Sequence, residues 1–352
     1  MIVFLIAVVV LALVLEKVLI GKDISRIEAD HVPDVQLAEI DQPFHIVVTL
    51  ANQSRRFVPF LRVGEILADG VRPVSAEEGS ARRGVYHVDF TTWLRPRQRV
   101  AREIPVVISK RGRYVLREFQ LSVGDFLGLK EQTQSCGRFH EVVVPPEESG
   151  VEQLEDMFGG FMGEVSVNRF IMEDPVLTLG YREYTGREPM KMISWSQSAR
   201  GNGLMVKKYD YTLEPTVSVV LNVDGGEKMS QDLLETSLSL TRSVCAILEK
   251  KGVKYSFSSN SMLAGMLSDP GAVGDGLGQR HFAGILEHLG RATESHNVPF
   301  AKLLEKEAQR GVAAGRILIT PGAEEEPERA LVRLREASGG NLLVLRASEV
   351  GQ

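Results

Sequence analysis

Val217-Ser218-Val219-Val220-Leu221-Asn222-Val223-Asp224-Gly225-Gly226 is the stretch that decides how the C-terminal part of the chain is read. It is a continuous apolar run, interrupted only by Ser218 and Asn222, as expected of a strand covered on both faces. Asp224-Gly225-Gly226 closes it with turn chemistry. From 229 to 251 the period becomes helical. Leu234, Leu238, Thr241, Cys245 and Leu248 recur every three or four positions, and Gly252 supplies the stop. A second strand follows at 253–258, then a Gly-rich loop, helices near 279–292 and 299–310, a strand at 317–320, a helix at 324–337 and a strand at 342–345. This alternation predicts a mostly parallel, doubly wound α/β sheet over 213–352.

Upstream the period is two. Phe44, Ile46, Val48 and Leu50 alternate with weaker positions, as do Tyr86, Val88 and Phe90. Val100, Ile104, Val106 and Ile108 continue the pattern, with Arg102 the one polar intruder. A turn at 110–113 leads into a strand over 114–123. Several strands between turn signals predict a small, immunoglobulin-like β-sandwich over 21–145. Residues 146–212 are read as a linker or insertion carrying a short helix near 151–158.

The chain has 352 residues, 43% hydrophobic and 25% charged, with a formal net charge of -5. These values fit a multidomain globular protein and argue against a nucleic-acid partner. Two cysteines, Cys136 and Cys245, are too few for a disulfide-stapled fold. Residues 1–15 are unbroken apolar sequence and Val18, Leu19 and Ile20 extend it, so 1–20 is expected to be a single transmembrane helix. Lys17, Lys22 and Arg26 follow it and nothing basic precedes it, which places the remaining domains in the cytoplasm.

Catalytic motifs are absent from the sequence: there is no nucleophile elbow, zinc-protease helix or phosphate loop. His281 and His288 lack accompanying ligands, Cys245 lies on an apolar helix face, and Cys136 sits in a polar loop. No catalytic residue and no cofactor are expected. The loop from Asp224 marks where an open α/β sheet would hold a ligand. The stretch 182–208 carries six Lys or Arg against two Glu, a local basic excess in an acidic chain, and suits an acidic partner.

The same stretch carries a resemblance. Tyr181-Arg182-Glu183-Tyr184-Thr185-Gly186, Ile193-Ser194-Trp195, Ser198-Ala199-Arg200 and Leu204-Met205-Val206-Lys207 resemble the signature of the bacterial domain-of-unknown-function 58 family. Arg111-Gly112-Arg113-Tyr114 and Asp125-Phe126-Leu127-Gly128-Leu129 resemble its upstream elements. The resemblance implies that the C-terminal domain is von Willebrand factor A-like. It also implies that the protein is a membrane-tethered, non-catalytic partner of a MoxR-type AAA+ ATPase, in assembly or envelope maintenance. The partner-binding residues it points to are Arg182, Tyr184, Gly186, Trp195, Ser198 and Arg200.

Departures from the family pattern are informative. Arg187 follows Gly186 where an acid is usual, with Glu188 one place later. The A-domain metal motif keeps Asp224, but Gly226 and Lys228 replace its two serines, and Thr320 is followed by proline rather than aspartate. Two hydroxyl ligands and one carboxylate are thereby lost, so no metal is expected. A Mg²⁺-dependent adhesion domain gripping a partner carboxylate is the alternative, and a hydrolase using the Gly-rich loop a distant third.

Overall fold

The computed structural model describes residues 23–75, 80–82, 85–124, 131–150, 154, 158–161, 163, 174–186, 188–200, 203–210, 216–226, 229–266, 271–310, 313, 315–322 and 327–350. Two compact units are present: Met1–Glu147 with Leu286–Ala292, and Glu148–Ile285 with Thr293–Gln352.

In the first unit the strands are β1 (Ile27–Pro33), β2 (Phe44–Asn52), β3 (Val58–Ile66), β4 (Val71–Pro73), β5 (Ser80–Arg82), β6 (Val85–Leu94), β7 (Arg99–Ile108), β8 (Gly112–Leu116), β9 (Phe119–Gly124), β10 (Glu131–Cys136) and β11 (His140–Val144). They form two antiparallel sheets, β1-β2-β7-β4 and β10-β9-β3-β6-β5, with a β11-β8 ribbon. One core fills the space between them, built from the inward residues of the alternating strands: Phe44, Ile46, Val48 and Leu50 from β2, Leu61 and Val63 from β3, Ile104 and Val106 from β7. Arg102, the intruder of β7, sets its guanidinium carbon 4.4 Å from the Phe90 ring centre, a cation–π contact that accommodates its charge beside the core. The expected strand over 114–123 is two strands, broken between β8 and β9. The polar loop expected at Cys136 is the end of β10.

In the second unit, β12 (Asp174–Glu183) pairs with β13 (Met205–Asp210), with α1 (Trp195–Ser198) between them. Then come β14 (Val217–Leu221), α2 (Gln231–Lys251), β15 (Tyr255–Ser259), β16 (Ser261–Leu263), β17 (Ala272–Gly276), α3 (Gln279–Arg291), β18 (Ala292–His296), α4 (Phe300–Gln309), β19 (Gly315–Thr320), α5 (Glu328–Ala337), β20 (Leu342–Arg346) and α6 (Ala347–Val350), with Leu286–Ala292 of α3 and β18 belonging to the first unit. Ser230 caps α2 by accepting the Leu233 N–H, Asp232 occupies the first turn and Lys250 and Lys251 the last, and Gly252 ends the helix at φ 66°. Every residue of β14 is buried. Val220 and Leu318 pack with Phe300, Leu303 and Leu304 of α4 and Leu334 of α5. The 151–158 helix lies largely outside the described residues, but Leu154 and the helical Phe158 and Phe161 are buried.

The fold-class expectation is corrected. The chain is mostly β-sandwich, and antiparallel structure extends into the second unit. There the Gly-rich stretch read as a loop is β17, which returns antiparallel onto β15, and β16 pairs with β18 as a separate ribbon. The C-terminal sheet, β17-β15-β14-β19-β20, is therefore mixed, and the reading as a von Willebrand factor A-like doubly wound domain does not stand. The single-pass membrane placement, with its cytoplasmic topology, is corrected too. No helix among the described residues is long and apolar enough to cross a membrane, and the 1–20 segment read as an anchor lies outside them. The longest described helix, α2, carries charged residues along its length because it is amphipathic rather than lipid-facing.

Candidate functional site

The signature segment folds as a small element of its own. Tyr181 pairs with Lys207 and Glu183 with Met205 across β12 and β13. The Tyr184 N–H donates to the Leu204 carbonyl at 2.8 Å, and the Ser194 N–H to the Met205 carbonyl at 2.8 Å. Ser198 joins both ends of the intervening loop. Its hydroxyl donates to the Ser194 carbonyl at 2.8 Å and accepts from the Met205 N–H at 2.9 Å. Ile193 and Val206 form the buried centre. Of the predicted partner-binding residues, Ser198 is thus a structural strut and Tyr184 a half-buried backbone link, whereas Arg182, Trp195 and Arg200 are solvent-facing. Gly186 sits at φ 88°, a conformation that favours glycine, and turns the chain after β12.

Arg187, the departure from the family pattern, lies outside the described residues. Glu188 supplies the carboxylate instead. It accepts from Arg182 Nη1 at 2.5 Å, from the Thr185 N–H at 3.1 Å and from the Thr185 hydroxyl at 2.8 Å. The Arg182 and Thr185 hydrogen bonds hold its carboxyl down to about 2. The lowered value means that the stabilisation is complete above the ordinary 4.5 and fades as pH falls toward 2. Carboxyl-detected NMR should follow Glu188 titrating near 2, and Arg182→Gln should return it toward 4.5. An unchanged midpoint in that variant would refute Arg182 as the cause.

One folded element thus presents Tyr181, Met190, Trp195 and Leu204 at between 42% and 69% exposure. Exposed Arg182, Lys191 and Arg200 accompany them. Large apolar side chains at this exposure, interleaved with cations, have the composition of an interface centre.

The second candidate locus, at the end of β14, is a closed polar network. Asn222 Nδ2 donates to the Asp224 carbonyl at 2.8 Å and to Thr320 Oγ1 at 3.1 Å, and Asn260 Nδ2 donates to Asn222 Oδ1 at 2.8 Å. The Gly226 N–H donates to Asp224 Oδ1 at 3.3 Å, and His296 Nε2 lies 3.9 Å from Asp224 Oδ2. Lys228 lies outside the described residues. Thr320 is buried and its hydroxyl already engaged, leaving Asp224 as the single carboxylate. This donor set does not fit Mg²⁺, which is held through carboxylates and water oxygens. No group of three His, Cys, Asp or Glu among the described residues is arranged to hold a metal ion. His281 and His288 both lie on α3, with His281 edge-on to Tyr255 at 4.7 Å between ring centres. Burial raises the Cys136 thiol, with Glu118 adding to the effect, and raises that of buried Cys245 further still.

Two long-range contacts of the first unit involve residues far apart in the chain. Arg111, of the Arg-Gly-Arg-Tyr element, donates to the carbonyls of Leu289 at 3.0 Å and Ala292 at 2.6 Å, capping the end of a helix 178 residues away. Buried His31 and Glu65 pair inside the sandwich, Nδ1 to Oε1 at 2.9 Å. The upstream element at 125–129 lies outside the described residues.

Comparison with known proteins finds only partial likenesses at low similarity. No family model matches the chain, and no curated protein matches it. Among solved structures, the CARDB domain of a Pyrococcus furiosus protein is 14% identical, covering 34% of this chain and 86% of its own, at a TM-score of 0.23. A type II cohesin domain from the cellulosome of Acetivibrio cellulolyticus is 8% identical, covering 33% of this chain and 94% of its own, at 0.25.

Proposed function

We propose that the chain is a non-catalytic protein-interaction module whose signature element, residues 181–207, docks onto a MoxR-type AAA+ ATPase. The observation that carries this reading is the exposure of Trp195, Met190, Tyr181 and Leu204 on a scaffold pinned by Ser198, Glu188 and the β12–β13 pairing. A rigid aromatic anchor loses little conformational freedom on binding, and truncating such a residue typically costs about 2 kcal/mol or more. The exposed arginines favour an acidic surface opposite. The choice of an AAA+ partner rests on the resemblance of these residues to the domain-of-unknown-function 58 signature.

The test is direct binding of the purified full chain to a MoxR-type AAA+ ATPase by biolayer interferometry. Trp195→Ala with Arg200→Ala is expected to weaken binding at least 30-fold, which is about 2 kcal/mol. Both side chains are exposed, so the thermal midpoint should move little. Binding unaffected by the pair, or absent in the parent protein, sinks the reading.

A further inference from the structure

We propose that the groove between β1 and β10 in the first unit is a docking site for an extended, acidic segment of another protein. Each is an edge strand of its sandwich sheet: β1 pairs only with β2 and β10 only with β9 among the described residues. Between them lies a groove of about 500 Å³ that runs past Ala29 and Cys136. A smaller recess of about 220 Å³ adjoins it at Glu28, Ala51 and Arg99. Natural sandwiches usually blunt such edges with proline, lysine or a bulge. Here β10 is Glu131-Gln132-Thr133-Gln134-Ser135-Cys136, regular in register throughout, and β1 is regular up to its terminal Pro33.

The charge in the groove selects the occupant. Arg97, Arg99 and Arg138 are exposed along it and make no ion pair among the described residues. Its acids, Glu28 and Asp30, keep their charge but are held by hydrogen bonds within the fold. Glu28 accepts from Gln53 Nε2 at 3.0 Å, and Asp30 accepts from the N–H groups of His31 at 3.0 Å and Arg138 at 3.2 Å. Among the described residues the groove therefore presents guanidinium groups without an ion partner beside strand edges that no further strand covers. Guanidinium forks match carboxylates bidentately, and an exposed strand edge is matched by another peptide backbone. Single-stranded nucleic acid would need aromatic platforms for its bases, and no aromatic side chain lines the groove.

The arginines are held in place by the fold. Asn52 stitches the loops before β3 and β7 together, its Nδ2 donating to the carbonyls of Arg56 at 2.8 Å and Arg95 at 2.9 Å. The Arg97 N–H donates to the Ser54 carbonyl at 3.1 Å. At Arg138 only the backbone is used structurally, since its carbonyl faces His31 Nε2 at 3.1 Å. Side-chain replacement there leaves the scaffold bonds intact. This surface belongs to the first unit and the signature element to the second, and the two readings succeed or fail independently.

The experiment uses the full chain and a fluorescein-labelled alternating Glu–Val decapeptide, followed by anisotropy. Saturable binding that weakens with added salt is expected, together with slowed amide exchange at 27–30 and 134–136. Arg99→Glu with Arg138→Glu should weaken it at least tenfold, and Trp195→Ala should leave it unchanged. Arg99→Gln with Arg138→Gln serves as the milder pair should charge reversal disturb folding, and should weaken binding at least threefold. The inference is overturned if the peptide does not bind, or if the arginine variants bind it as tightly as the parent. It is equally overturned if a Lys–Val decapeptide or a ten-residue oligothymidine binds as well.

Discussion

His31→Ala is expected to destabilise the first unit by about 3–5 kcal/mol, the cost of leaving one member of a buried ion pair alone. His31 is 0% exposed and Glu65 1%. The imidazole has an acceptor on each side: the Glu65 carboxylate at Nδ1, 2.9 and 3.0 Å from its two oxygens, and the Arg138 carbonyl at Nε2, 3.1 Å away. A neutral ring has only one N–H, so both bonds to ionised Glu65 and the carbonyl require the imidazolium. Burial opposes that charge, but the Glu65 hydrogen bond and its charge outweigh it, and the His31 pKa is raised above 6.5. Removing the ring strands a carboxylate in the core, where burial already raises the Glu65 pKa against the His31 hydrogen bond.

The sign of the pH dependence follows. A base whose folded pKa exceeds its unfolded value stabilises fully below the unfolded value and loses that contribution as pH rises through the folded one. Glu65, also raised, acts in the same sense, contributing below 4.5 and losing it as pH rises. The parent protein should therefore lose stability as pH climbs above 6.5, and the His31→Ala/Glu65→Leu pair should not show that loss. The double replacement should also recover most of the stability lost in His31→Ala, since removing both partners of a buried pair is far milder than removing one. Urea unfolding followed by Trp93 emission, in a Trp195→Phe background, measures both effects. A single variant within about 1 kcal/mol of the parent, well short of the roughly 3–5 kcal/mol that a stranded charge would cost, would count against an ionised pair.

Arg316→Met is the second large effect, expected to cost about 3 kcal/mol or more because several buried acceptors lose their donor together. Arg316 stands on β19 at 1% exposure. Its Nη1 donates to the Ala337 carbonyl at 2.7 Å and to Ser338 Oγ at 3.1 Å, and its Nη2 to the carbonyls of Glu307 at 3.2 Å and Arg310 at 3.0 Å. These acceptors lie at the C-terminal ends of α5 and α4, where helix carbonyls have no partner within the helix. One planar guanidinium thus caps two helices from inside the sheet. Arg316→Lys should recover only part of the loss, because a single ammonium cannot span acceptors in the two fork directions. Far-UV circular dichroism in urea gives the comparison. Lysine restoring full stability would show that charge alone, without the fork, is sufficient.

Much of the secondary structure was legible in the sequence. The period-2 residues of β2, Phe44 to Leu50, are buried where expected, and the α2 face from Leu234 to Leu248 and its Gly252 stop lie where the helical period put them. The strand β17 was not legible. It is an edge strand, half-exposed along Ala272–Gly276 and held by backbone pairing to β15, so no side-chain alternation marks it. The signature element was visible as residue types, but Glu188's role in replacing the expected acid required the Arg182 and Thr185 geometry.

By itself, then, the sequence determined which residues face inward along β2 and α2, because burial on one face imposes a local period of 2 or 3.6 on composition. It also located the basic, aromatic element at 181–207. Only the tertiary structure decided what meets across long separations: His31 with Glu65, Arg111 with the α3 end, Arg316 with two helix termini, and the pairing that makes the C-terminal sheet mixed. Those contacts join groups far apart in the chain, where the gain is packing and hydrogen bonding between side chains whose own neighbours carry no trace of the partner.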